Sequence, residues 1–427
     1  MELAAGLFLF IGLLVLLVIR VPIAFAMGAI SLLTIMLFIG PKQLPQVVNI
    51  ILSESTSGTL LVAPMFILMA EILVVAGVAQ NLFTVAAKWC GRLPGGLAIT
   101  SIASSALFSS VTGSSAATVA TIGSMSMPEM LRRGYSDKLA SGAVVAGGTL
   151  GILIPPSIAM IIYGIITETS IISLFVAGII PGIILTVMLS AAVYAYSVWR
   201  PEAAPKGETY SWSERFKSLL YVLPVLVLIV LVLGSMYSGM ATITESAGVG
   251  ATGALLIALA MRRLTWDKLK LAFIRTAYTS CMILFLVFGG MIFSFVVGYL
   301  GIPNTLTEFI QGLSDNKWVI LILINLLLLV LGCFLDPLSA LVLTMPLLFP
   351  VAMSFGFDPV WFGIMMVINA EIGMITPPVG LNLFVLKGTA PQVNMGNIVK
   401  GSMPFVVVML CAMVIFSIFP ELVLLLK

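Results

Sequence analysis

The chain has 427 residues, of which 61% are hydrophobic and 9% charged, and its formal net charge is +3. A soluble domain carries about 45–50% apolar and about 25% charged residues, so this composition excludes a soluble enzyme, a disordered chain and a nucleic-acid binder. The class left is a polytopic, all-α membrane protein. Histidine is absent, which removes imidazole triads, metal sites and proton relays. So is the G-x-x-x-x-G-K-[ST] loop, and with it that route to ATP hydrolysis. Cys90, Cys281, Cys333 and Cys411 are far apart and indicate neither a disulfide framework nor a zinc site.

A membrane-crossing helix needs about 20 apolar residues. The first such runs lie near residues 3–19, 21–39 and 59–85. No basic segment precedes the first, so it reads as a membrane helix and not a cleaved signal. Residues 97–127 carry no charge yet are rich in Ser, Thr, Ala and Gly. They are too long for one crossing and short for two, and their midpoint falls at Thr112 and Gly113 in SSVTGSS. This pattern predicts a re-entrant hairpin with a polar tip. Further runs follow at 139–165, 172–198, 218–238, 240–261 and 271–300. Residues 318–357 hold a single charge, Asp336, followed by Pro337, and predict a second hairpin; two ordinary crossings with a tight turn are the alternative. Runs at 360–386 and 402–425 complete the chain. None alternates as a barrel strand would.

Charge placement orients the loops. With the first hairpin opening and closing on the cytoplasmic side, 17 of the 20 basic residues fall inside and three outside (Lys42, Lys317 and Lys427). The inside set includes Lys88, Arg132, Lys138, Arg200, Lys206, Arg262 and Lys400, while Glu308, Asp315 and Asp358 flank the second hairpin outside. Both termini then lie in the periplasm.

An internal repeat links the halves. GTLGILIPPSIAMIIYG begins at Gly148 and AEIGMITPPVGLNLFVLKG at Ala370. Gly151, Pro155 and Pro156 match Gly373, Pro377 and Pro378 at an offset of 222, which also pairs Pro128 with Pro350 and Ser114 with Asp336. An odd number of crossings separates the hairpins, so the second copy is inverted, as in secondary transporters. The chain divides into scaffold helices (1–58), a first repeat (59–198), connecting scaffold helices (199–270) and a second repeat (271–427).

Double prolines break helices, because proline lacks the amide hydrogen and clashes with the preceding turn. The carbonyls freed at Pro155, Pro156, Pro377 and Pro378 suit a hard cation, and helix N-termini favour an anion. A plain kink is the alternative. Ser109, Ser110, Thr112, Gly113, Ser114 and Ser115 offer oxygens at the first tip, though small residues also pack membrane helices closely. Asp336 stands beside Ser339, with Gly332 ahead of it; a cation site and a helix cap both explain it. Glu71 and Glu371 are further intramembrane acids, each open to pairing with Lys387 or with bases of a partner subunit, and Glu245 reads as a cap. Competing classes are an ion-translocating subunit of a membrane complex and a channel.

GTLGILIPPSIAMIIYG, TITESAGVGA and MITPPVGLNLFV resemble the large membrane subunit of TRAP transporters, the tripartite ATP-independent periplasmic systems. The likeness covers essentially the whole chain and is greatest to unfused subunits of sialic acid systems. It implies an elevator-type transporter of the bacterial inner membrane, driven by a Na⁺ gradient. It also implies a separate small four-helix membrane subunit and a periplasmic binding protein that delivers the substrate. Carried onto this sequence, the first Na⁺ lies between Ser109, Ser110, Thr112, Gly113, Ser114 and the break at Gly151. The second lies between Gly332, Asp336, Ser339 and the break at Gly373 and Thr376. The substrate carboxylate lies near Ser115, Ser157 and Asn382. Sialic acid is the implied substrate; C4-dicarboxylates and keto acids share its carboxylate.

Overall fold

The computed structural model describes residues 2–205, 207–314 and 316–427. Lys206 and Asp315, two of the charges used to orient the loops, lie outside the described residues. The chain is helical throughout, with no strand among the described residues. Among the described residues six helices are long and apolar enough to cross a membrane, Pro337–Ser354 of the second expected hairpin among them; the bent pair Trp212–Leu219 and Leu223–Tyr237, which turns by 47°, makes a seventh if it is one span.

Interruptions in the sequence set where the hairpin arms and the broken helices end. Gly96–Thr112 and Ser115–Arg132 meet at Gly113, whose φ of 56° lies in the left-handed region that glycine adopts without steric cost. Lys317–Gly332 and Pro337–Ser354 meet ahead of Asp336. Asp137–Gly148 tightens into a 3₁₀ turn, Thr149–Ile152, and resumes as Ile158–Thr167 after a cis Pro155–Pro156 bond. Pro359–Met374 stops likewise before a cis Pro377–Pro378 bond and resumes as Leu381–Thr389. Each half of a broken helix rises about 1.5 Å per residue, so it reaches only part of the way through a hydrocarbon core about 30 Å thick.

The run at 59–85 is not one crossing. Helix Val62–Val75 ends at Gly77, which has φ 75°, and a separate helix, Val78–Cys90, follows. Its buried residues, Val78, Ala79, Leu82, Phe83, Val85 and Ala86, fall at helical spacing on one face. Gly301 and helix Ile302–Leu313 repeat the arrangement in the second half, after the long helix Trp266–Tyr299. The last crossing runs over Met395–Ile418, a turn or two ahead of the expected run. A helix at Leu44–Ser55 carries no long apolar run and was not expected.

Packing extends the repeat. Helix Ile23–Thr34 buries Ala26, Met27, Ile30, Ser31 and Thr34. Helix Ile243–Ala260 buries Ser246, Ala247, Gly250, Ala251 and Ala254, the same positions at an offset of 220. Ile23–Thr34 packs on Trp266–Tyr299, and Ile243–Ala260 packs on Val62–Val75, so each lies against the helix that precedes Gly301 or Gly77 in the opposite half. The hairpins trade partners in the same way. Ser115–Arg132 packs on Leu381–Thr389, and Pro337–Ser354 packs on Ile158–Thr167. The halves are therefore interleaved and bury their apolar faces in each other.

Candidate transport site

Each hairpin tip touches the break in its own half. A Cβ on Gly151 would lie 2.6 Å from the Ser115 Cα and 2.7 Å from the Ser114 carbonyl carbon, so only glycine lets the broken helix approach the first tip. Gly113 lies against Pro156 and Ser157. In the second half, a Cβ on Gly373 would lie 2.5 Å from the Gly332 carbonyl carbon. The Gly380 amide also donates to the Cys333 carbonyl at 3.1 Å. The sequence repeat thus becomes two like contacts between tip and break.

The two contacts face a common cleft of about 220 Å³. Ser114 and Ser115 line it from the first tip, Asp336 from the second, and Thr279 and Met282 from the long helix Trp266–Tyr299. Asp336 is the one charged side chain in that lining. The paired positions Ser114 and Asp336 are both helix N-caps. Ser114 Oγ accepts from the Ala117 amide at 3.4 Å. Asp336 Oδ1 accepts from the Leu338 and Ser339 amides, each at 3.1 Å, and Oδ2 from Ser339 Oγ at 2.5 Å. The capping role considered for Asp336 is real, and its half-buried carboxylate still borders the cleft.

Other expected ligands fall into distinct groups. Ser109 Oγ donates to the Ser105 carbonyl at 2.5 Å and Ser110 Oγ to Leu107 at 2.7 Å. Thr112 Oγ1 lies 3.1 Å from Thr118 Oγ1. Ser109 and Ser110 are turned back onto their own helix, while Thr112 reaches across the tip to the outgoing helix; hydroxyl oxygens keep lone pairs for a cation. Thr376 Oγ1 donates to the Ile372 carbonyl at 2.6 Å. Ser157 Oγ donates to the Ile152 carbonyl at 2.5 Å while capping the helix that starts at Ile158. Neither Ser157 nor Asn382 lines the cleft, although their neighbours Ile158 and Leu381 do. Asn382 is fully buried, and neither its Nδ2 nor its Oδ1 has a partner. A buried amide left without hydrogen bonds is costly, which sets Asn382 apart from the other expected ligands.

Glu371 does not pair with Lys387, whose Nζ donates to the Pro391 and Val393 carbonyls. The acid is buried one turn before the second break, and Ser115 Oγ donates to its Oε1. Oε2 has no partner. This contact ties the first tip to the second broken helix. The available signal was an acid directly ahead of the GMITPP break. Glu71 pairs with Arg275 at 3.7 Å, away from the cleft. Glu245 completes a capping box with Thr242, as its position predicted. No cluster of three or more metal-ligating Cys, Asp or Glu side chains occurs among the described residues.

Comparisons with known proteins agree with this architecture. The crystal structure of the Alcanivorax borkumensis YdaH transporter is similar over 91% of each chain, with a TM-score of 0.66 and 16% identity, which shows a shared fold. The C4-dicarboxylate TRAP transporter large permease protein DctM of Pseudomonas aeruginosa is 36% identical over 92% of each chain. The sialic acid TRAP transporter large permease protein SiaM of Vibrio cholerae is 34% identical over 86% of each. These relatives are transport permeases. The family described as "Tripartite ATP-independent periplasmic transporter, DctM component" matches residues 10–422. The chain accordingly belongs to the DctM family, the large permease component of tripartite ATP-independent periplasmic transporters.

Proposed function

We propose that the chain carries out Na⁺-coupled uptake of a carboxylate across the bacterial inner membrane through the cleft between its two hairpin tips. The observation that carries this reading is the convergence of Ser114, Ser115 and Asp336 on one cleft from opposite halves of an inverted repeat. Broken helices supply backbone dipoles for ions and anions at membrane depth. Asp336 supplies a fixed negative charge for a cation, and the hydroxyl-rich first tip remains neutral.

The hairpins and broken helices form the moving part. A small apolar core joins the helices Glu2–Val18 and Ile23–Thr34 to the long helix Trp266–Tyr299, and Ile158, Ile162, Val342 and Leu343 reach into it from the moving part. Apolar surfaces hold no directional bonds, so they can slide past one another, which favours an elevator motion. Two Na⁺ accompanying a monoanion would carry one net charge inward, worth about 2.3 kcal/mol per 100 mV.

A periplasmic binding protein delivers the substrate, and a separate small four-helix membrane subunit completes the assembly. The substrate class is a carboxylate. Relatives of nearly equal identity are named for C4-dicarboxylates and for sialic acid, so the likeness does not single out sialic acid. Two ion pairs agree with which loops are assigned to a common side. Lys427 pairs with Asp358 at 2.6 Å, which joins two segments assigned to the periplasm. Arg133 pairs with Glu208 at 2.9 Å, which joins two assigned to the cytoplasm.

The test is uptake into proteoliposomes holding this chain, the small subunit and the binding protein, with and without an inward Na⁺ gradient. Labelled sialic acid, a C4-dicarboxylate and a keto acid are compared. Uptake of one of them that needs both Na⁺ and the binding protein is expected. Uptake indifferent to Na⁺ would overturn the coupling.

A further inference from the structure

Two clefts adjoin on the face where the cytoplasmic loops meet. The larger, about 650 Å³, is open to the surface and bordered by Lys138, Tyr196, Trp199 and Arg200. The smaller, about 80 Å³, is mainly apolar, floored by Leu139, Ala192, Pro404 and Phe405 and edged by Lys400. Lys138 and Tyr196 belong to both, so the two adjoin across these side chains and make up one composite groove. It runs between the helices Asp137–Gly148, Ile171–Trp199 and Met395–Ile418.

Three features of the groove point to one ligand. Lys138, Arg200 and Lys400 come from separate stretches of chain, and no ion pair with a carboxylate engages any of them among the described residues. The acids bordering the groove are Asp137, which accepts from Asn397 Nδ2 at 3.3 Å, and Glu202, so the cations are in excess. Trp199 and Tyr196 mark the membrane–water interface, where amphipathic rings accumulate. Below that level the lining turns apolar, as an acyl chain requires and a soluble anion does not. Basic pockets between membrane helices on the cytoplasmic side suit anionic headgroups.

We infer that this groove binds an anionic phospholipid of the cytoplasmic leaflet, with the phosphate among Lys138, Arg200 and Lys400 and an acyl chain over Ala192, Pro404 and Phe405. The leaflet rests on the orientation proposed above; binding itself does not. The groove joins one half of a broken helix, Asp137–Gly148, to the crossings Ile171–Trp199 and Met395–Ile418.

Native mass spectrometry of the full-length chain in detergent tests this without any transport assay. Phosphatidylglycerol and phosphatidylcholine with identical acyl chains are titrated separately. Phosphatidylglycerol is expected to bind more tightly, by about fivefold for each cation engaged. The combined change Lys138→Gln, Arg200→Gln and Lys400→Gln should bring it to the phosphatidylcholine level. Arg262→Gln with Arg263→Gln, on another cytoplasmic loop, should leave it unchanged. Where the triple variant does not fold, Lys400→Gln alone, at an exposed position, should still weaken binding about fivefold. Equal binding of the two lipids, or equal weakening by the control pair, would overturn the site. Glycerol phosphate binding as tightly as the lipid would overturn it too, since the groove would then serve a soluble phosphate.

Discussion

The two hairpin tips occupy equivalent positions and carry opposite chemistry. At the first, SSVTGSS places neutral hydroxyls around a left-handed glycine, and Ser114 caps the outgoing helix. At the second, a single acid, Asp336, caps the outgoing helix and also puts a formal charge on the cleft. The backbone problem is the same in both halves: a helix must start at membrane depth with its first amides satisfied. Either Ser or Asp solves it. Only Asp also places a carboxylate on the cleft, so the inverted repeat has kept the frame symmetric while the acid at a tip stands in one half.

Substitutions can break this comparison. The largest effect is expected from Asp336→Asn, which keeps a capping side chain and removes the charge. A charged hydrogen-bonding partner contributes about 1.5–3 kcal/mol, so the Na⁺ concentration for half-maximal uptake should rise about tenfold or more. Unchanged Na⁺ activation would leave Asp336 as a cap alone. Next comes Gly373→Ala, whose added methyl would meet the Gly332 backbone at 2.5 Å. Overpacking of about 1–3 kcal/mol should cut uptake roughly tenfold while the protein still inserts. Normal uptake would show that the tip and the break need not touch.

Two smaller effects sharpen the picture. Glu371→Gln preserves an acceptor for Ser115 and should transport better than Glu371→Leu, which leaves the tip hydroxyl without that partner. Equal rates would make the cross-repeat contact incidental. The smallest effect is expected from Ser114→Ala, which removes one cap, worth about 1 kcal/mol, and leaves the backbone oxygens in place. Thermal melting should register it, with the Na⁺ dependence nearly unchanged; a Na⁺ shift as large as that of Asp336→Asn would erase the difference between the tips.

The frame around the site was legible where covalent geometry forced it. Double prolines break a helix in any context, a glycine in a serine-rich, chargeless stretch marks the first tip, and a lone Asp-Pro in an apolar run marks the second, where two ordinary crossings were the alternative. The deeper repeat was hidden because residue identities diverged while burial did not: Met27 and Ala247 share a position but not a side chain. The helix Val78–Cys90 was merged into a crossing because Gly77 interrupts an apolar run without a charge to mark it. Neither the Ser115–Glu371 contact nor the isolation of Asn382 could be read, since both depend on how the two halves interleave.

The most direct test is the reactivity of a cysteine at Ser114, in a chain whose four native cysteines are replaced. Transport through the cleft predicts labelling by a membrane-impermeant maleimide from at least one side, slowed by Na⁺ together with the transported carboxylate. Complete inertness from both sides, or labelling that Na⁺ and substrate leave unchanged, would contradict a transport site between the tips.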